Sequence, residues 1–221
     1  MGHIQATGFY MIHTTTAIKY GLEYNWFAAT DARNIANTGW HVPTNAELET
    51  LRTYLGGGTI AGGKMKETGT IYWGSPNTGA TNEVGFNGRG AGVRQDNGSF
   101  DSIKSSTVWA ASDDDGGIRG VAAGFNYANL YNSYTTDNQG VSIRPLKDST
   151  VLTHGQTGTY TGNDGKVYRT ICIGTQEWLA CNLAETKYRN GDLIPEITDN
   201  DEWAALETGA LCAYDNDWDN V

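Results

Sequence analysis

The segment Gly39-Trp40-His41-Val42-Pro43-Thr44-Asn45-Ala46-Glu47-Leu48-Glu49-Thr50-Leu51 constrains this chain more than any other. The Thr44 hydroxyl can cap a helix, and Glu47, three residues on, can reach back to the Thr44 N–H. That reciprocal pair fixes where a helix begins. Leu48, Leu51, Tyr54 and Leu55 then recur at helical spacing, and Gly56 stands where a left-handed stop belongs. The spacing predicts a helix over 44–55, entered behind the aromatic anchor Trp40. A second helix is expected at 200–208, around Trp203, stopped at Gly209. Strands are expected near 107–111, 119–126, 141–146 and 167–173.

Outside those elements the chain reads as loop-rich. Its 221 residues include 29 glycines, with many Asn, Asp, Ser and Thr to supply turns. Seven tryptophans and twelve tyrosines are spread along it, which predicts an aromatic core and argues against disorder. Trp26, Trp40, Trp73, Trp109 and Trp178 are expected to be buried. A net charge of −10 without a basic stripe disfavours nucleic-acid partners. No apolar run is long enough to span a bilayer, so no membrane insertion is expected.

The catalytic inventory is thin. His3, His13, His41 and His154 are far apart and form no metal-ligand pair, and no Gly-x-Ser-x-Gly, Walker or His-Glu-x-x-His motif occurs. His41 is expected to hydrogen-bond structurally. Cys172, Cys181 and Cys212 lack a Cys-x-x-Cys spacing and read as small buried hydrophobes, with one disulfide among them left open. The expectation is a protein that is not an enzyme, with no cofactor and no metal. Asp215, Asp217 and Asp219 are the residues that calcium would use if it bound.

Several stretches together resemble one family. Tyr20-Gly21-Leu22-Glu23-Tyr24-Asn25-Trp26, the Gly39–Thr44 run, Ala61-Gly62-Gly63-Lys64-Met65-Lys66-Glu67, Asn77–Phe86 and Gly140-Val141-Ser142-Ile143-Arg144-Pro145 follow the order of the Fibrobacter succinogenes major paralogous domain. That resemblance implies an α+β fold, C-type-lectin-like and similar to the formylglycine-generating enzymes, with two helices and a small antiparallel sheet. It carries no sign of those enzymes' copper-binding cysteine pair. Residues 164–221 resemble the family's opening segment but come last. The chain is therefore expected to be a single, circularly permuted domain over 18–221. Residues 18–149 would be the family's C-terminal part, 150–163 a connector and 164–221 its N-terminal part; residues 1–17 stay unassigned. Closure within one chain, as a monomer, is favoured over a domain-swapped dimer.

The candidate binding residues are Arg94, Asp96 and Asn97, with Asp113, Asp114, Asp115, Ile118, Arg119, Asn126, Tyr127, Asn129, Tyr131, Asn132 and Tyr134. Tyrosine, asparagine, serine, glycine and arginine are the side chains that paratopes favour. Relatives of the family include proteins diversified by retroelements that mutate adenines, mostly in asparagine codons. Such codons cannot reach Lys, Glu, Gln, Met or Trp, and residues 110–138 contain none of the five. A gap of that length arises by chance in a chain of this composition. Its position, just before Gly140–Arg144, is what gives it weight. The resemblance thus implies a diversity-generating retroelement variable protein, displayed on a virion or cell surface, binding a protein or glycan on its target. The alternative is a constant cell-surface adhesion or glycan-binding module, with calcium dependence left open.

Overall fold

In the computed structural model, which describes residues 17–221, the Thr44–Glu47 pair behaves as its spacing requires. Thr44 Oγ1 accepts the Glu47 N–H, Glu47 takes the Thr44 N–H at 2.8 Å, and a helix runs over Asn45–Tyr54. His41 adds to this entry. Its Nδ1 lies 2.6 Å from Asp148 and its Nε2 lies 3.1 Å from Glu47. Burial pulls the His41 pKa down, but the two carboxylates outweigh it and the net shift is upward.

The strands, in chain order, are β1 (Glu23–Tyr24), β2 (Trp40–His41), β3 (Ala91–Arg94), β4 (Phe100–Ile103), β5 (Ser106–Asp115), β6 (Ile118–Gly124), β7 (Leu130–Tyr134), β8 (Leu146–Lys147), β9 (Thr157–Thr161), β10 (Val167–Ile173), β11 (Gln176–Leu179) and β12 (Leu211–Cys212). The helices are α1 (Trp26–Ala29), α2 (Asn45–Tyr54), α3 (Ala61–Met65) and α4 (Asn200–Ala204). They form three sheets: β1-β12, β2-β8-β11-β10-β9 and β4-β3-β5-β6-β7.

This corrects the expected fold class. The described chain is mostly β, with three sheets and four short helices, and not a two-helix, small-sheet C-type-lectin-like α+β fold. Nor is the pairing purely antiparallel, because β3 meets β5 in parallel through Gly92 and Thr107. The stretch 141–146 is not one strand either. Val141 bridges Tyr24 and Ser142 bridges Trp109, so this segment joins β1 to β5 instead of lengthening a ladder. The second helix stops at Ala204, about a turn earlier than expected.

Residues 150–221 pack into the same body as 18–149. Trp178 on β11 pairs with Leu146 on β8, and Cys212 and Leu211 on β12 pair with Glu23 and Tyr24 on β1. The expected connector is partly ordered as β9, which pairs with β10 from Thr157 to Thr161. Two large apolar clusters hold the body together, with a small third around Trp203, Ala210 and Cys212. One lies beneath α2 and centres on Trp73, Phe86, Trp109 and Trp178, with Phe86 edge-on to Trp109 at 5.2 Å. The other surrounds Tyr24, Ile143, Tyr168 and Leu183. Trp40, Trp73, Trp109 and Trp178 are buried as expected, and so is Trp203; Trp26 is only half-buried.

Between the clusters lies a polar centre. Asn182 accepts hydrogen bonds from Trp109 Nε1 (3.0 Å) and Arg144 Nε (2.8 Å), and donates to the Tyr20 carbonyl and Ser142 Oγ. Arg144 is buried without a carboxylate ion-pair partner among the described residues. Its other donors are absorbed by the carbonyls of Phe86, Asn87 and Leu179, and burial pulls its pKa down to about 9. The three cysteines are free; Cys172 and Cys212 are buried, whereas Cys181 is half-buried. Among the described residues, no helix is long and apolar enough to cross a membrane.

Candidate functional site

The sheet β4-β3-β5-β6-β7 carries most of the candidate residues, and its outer strand β7 shows how they are sorted. Leu130 is buried, whereas Tyr131 and Tyr134 are 45% and 69% exposed. The apolar positions of the hairpin, Val121, Ala123 and Leu130, face the cluster under α2. The polar and aromatic positions are left for solvent.

One groove, of about 430 Å³, opens between the start of α2 and the far end of the β5–β6 hairpin. Asp113, Asp114, Asp115, Ile118 and Asn132 line it, with Asn45, Glu49 and Arg52 from α2 opposite. Asn45 fixes this wall. Its backbone N–H donates to the Asp113 carboxylate at 2.7 Å, and its side chain donates to the carbonyls of Asp113 and Ile118. The hairpin end is irregular: the register shifts between Ala110 and Asp115, and Gly120 sits there at φ +146°. A Cβ at Gly120 would lie 2.1 Å from the Trp109 carbonyl, so only glycine permits this bulge beside Arg119.

A second groove, of about 510 Å³, is lined by Asp96, Asn97, Thr136, Asp137, Asn138 and Ala204. Arg119 bridges the two. Its Nε donates to Asp114 at 2.9 Å on one side and its Nη1 to Asp137 at 2.5 Å on the other, with the guanidinium 4.5 Å above the Trp26 ring. The Gly117 N–H and then Arg119 hold the Asp114 carboxyl below its usual range. Burial pulls the Arg119 pKa down, but its two carboxylates outweigh this and raise it.

The structure does not gather every candidate. Arg94 is fully buried and no part of a surface. It donates to the carbonyls of Gly98, Ile197, Thr198 and Asp199 and packs against Trp203 at 4.2 Å. An arginine in sequence reads as exposed, but here backbone acceptors and an aromatic face take up its donors and charge. The remaining residues split along the β6–β7 hairpin. Ile118 pairs with Tyr134 at one end and Ala123 with Leu130 at the other. That separation is about 17 Å for five strand residues. Asn126, Tyr127 and Asn129 lie beyond the second end, away from both grooves.

There Lys66, buried, donates to the carbonyls of Thr78, Gly124 and Tyr127, and the Asn129 carbonyl packs against Gly62 so tightly that a Cβ there would meet it at 2.1 Å. Tyr127 is half-buried, lying over Gly124 and edge-on to Tyr131 at 5.0 Å. These three residues therefore line neither groove, and Tyr127 reaches toward them through its contact with Tyr131 on β7.

Sequence reasoning missed Thr136, Asp137 and Asn138, although they lie in the segment 110–138 that lacks five residue types. It also missed the α2 wall, which nothing in a local pattern ties to Asp113. Asp215, Asp217 and Asp219 do not converge: Asp217 caps the Asp219 N–H, and among the described residues no group of three or more acidic, histidine or cysteine side chains could hold a metal ion.

The model of the family described as the Fibrobacter succinogenes major domain matches residues 4–147, which takes in most of the N-terminal stretch that had no assignment. Apart from Ala17, that stretch lies outside the described residues. No curated protein and no solved structure matches the chain.

Proposed function

Because the chain belongs to the Fibrobacter succinogenes major domain family, we propose that it is a non-catalytic binding protein whose ligand sits across the two grooves joined by Arg119. The observation that carries this reading is the sorting along β5, β6 and β7. Val121, Ala123 and Leu130 hold the core, while Asp114, Asp115, Tyr131, Asn132 and Tyr134 are exposed and belong to no apolar cluster. A scaffold sorted in this way tolerates exchange of its outer residues without losing its fold. The revised binding set is Asp96, Asn97, Asp113, Asp114, Asp115, Ile118, Arg119, Tyr131, Asn132 and Tyr134, with Thr136, Asp137 and Asn138 added and Arg94 removed.

We further propose that this face is diversified by a retroelement and displayed on a virion or cell surface. The absence of Lys, Glu, Gln, Met and Trp from 110–138 supports it. The test is to sequence the flanking DNA and many copies of the gene. A reverse transcriptase, an imperfect repeat of the codons for 110–144, and substitutions confined to the outward positions are expected. Variation that falls equally on Val121, Ala123 and Leu130, or no repeat at all, would overturn it. Under the same reading, residues 164–221 are the family's opening piece placed last, joined through the connector 150–163 and folded back within a monomer.

A further inference from the structure

We propose that the grooved face of this copy takes a cationic protein surface, one that presents clustered Lys and Arg side chains. The inference rests on the binding face proposed above and names its ligand class.

The reasoning is a charge inventory. Six carboxylates line the two grooves: Glu49, Asp96, Asp113, Asp114, Asp115 and Asp137. Two guanidinium groups stand among them, and both are already engaged. Arg119 spans Asp114 and Asp137, and Arg52 pairs with Glu49 and donates to Asn132. Asp96, Asp113 and Asp115 are left with no ion-pair partner among the described residues. Asp96 and Asp115 are also exposed.

The neutral groups point the same way. Asn138 lines the second groove, its amide nitrogen donating to the Ala204 carbonyl and its buried side-chain oxygen taking no donor among the described residues. Tyr134 is exposed on the edge strand, with its ring 3.4 Å from where a Cβ of Gly117 would stand. It therefore lies against the hairpin that carries Asp114 and Asp115. Unpaired carboxylates and an open aromatic ring are what ammonium and guanidinium groups bind. An anionic ligand would meet repulsion across both grooves. A neutral glycan could use the acceptors but would leave the unpaired carboxylates without a counter-charge.

The test uses the full chain and a labelled octa-arginine peptide, titrated at low salt and again at roughly 0.15 M salt. Asp96→Asn with Asp115→Asn removes two face charges that no internal partner needs. Asp215→Asn with Asp219→Asn removes the same charge from the C-terminal loop, which lines neither groove. The face pair is expected to weaken binding about tenfold and to flatten its salt dependence, while the loop pair changes it less than about twofold. Equal weakening by the two pairs would reduce the attraction to net charge and overturn the proposal. So would tight binding of neutral oligosaccharides that competes with the peptide. A gene without the repeat would sink the diversified reading yet leave this charge preference to be measured. A repeat with face-independent peptide binding would sink the preference alone.

Discussion

The Lys19 N–H donates to the Val221 carbonyl at 3.1 Å, and the Tyr20 N–H donates to the Asn220 carbonyl at the same distance. The last residues of the chain thus lie against the segment that leads into β1. A chain reordered to run 150–221 and then 1–149 would make one new join, from Val221 to Met1, and one break, between Ser149 and Thr150, that supplies both new ends. It would keep every residue and, in the reading above, restore the family's order. Such a chain is expected to melt cooperatively as a monomer within a few degrees of the parent. Thermal melting with light scattering checks it. A molten or dimeric product would show that the present order is needed for closure.

The Asn182 side chain makes four hydrogen bonds in a site sealed from water, and it ties 140–145 and Trp109 to the C-terminal piece. Asn182→Ala strands the Trp109 N–H and a donor of the buried Arg144. Each stranded buried group costs about 1–3 kcal/mol, so a loss of about 3–5 kcal/mol is expected in urea denaturation. A loss under 1 kcal/mol would mean that water or relaxation satisfies the partners.

Glu185 is fully buried, and burial raises its pKa from 4.5 to about 7 despite hydrogen bonds from the Asp164 N–H and the Tyr168 hydroxyl. Between pH 4.5 and 7 the folded state therefore holds more protons than the unfolded one, and stability falls as pH rises through that window. The shift corresponds to about 3 kcal/mol. Glu23, also buried, is shifted in the same direction. Acids held low in the folded state, such as Asp164 and Glu177, act oppositely and at lower pH. Glu185→Gln cannot ionise and is expected to flatten the decline between pH 5 and 7. An unchanged profile would place the effect elsewhere.

What the sequence made legible was local. Thr44 and Glu47 mark their helix because both partners lie within one turn, and β10 fell at 167–173 because its strand character is contained in that run. The sheet order was not legible. The parallel contact of Gly92 with Thr107 and the bridges from Val141 and Ser142 join segments by packing, with no local signature. A family resemblance therefore carried the motifs correctly and the architecture wrongly. For the candidate site, composition pointed to a segment and gave no geometry. A run of Tyr, Asn and Asp marked the surface, but nothing in the run showed that Asn126 and Tyr134 stand at opposite ends of a hairpin. Arg94 and Arg119 look alike in sequence, yet backbone carbonyls bury one and two carboxylates hold the other at the surface.

That distinction yields a last, direct prediction. Tyr131, Asn132 and Tyr134 are exposed on the edge strand and support no core residue, whereas Trp109 is 1% exposed and touches Phe86, Asn182 and the floor of the sheet. Tyr127 belongs with neither, because its ring covers Gly124. Replacing Tyr131 and Tyr134 by serine is expected to change stability by about 0.5 kcal/mol or less per site. Trp109→Ala removes a buried indole and is expected to cost about 3–5 kcal/mol. Tyr127→Ser should fall between, since it uncovers half-buried backbone. Equilibrium denaturation of the three variants orders them. If the Tyr131 and Tyr134 changes cost as much as Trp109→Ala, the outer strand is structural, and the face proposed to bind is not free to vary.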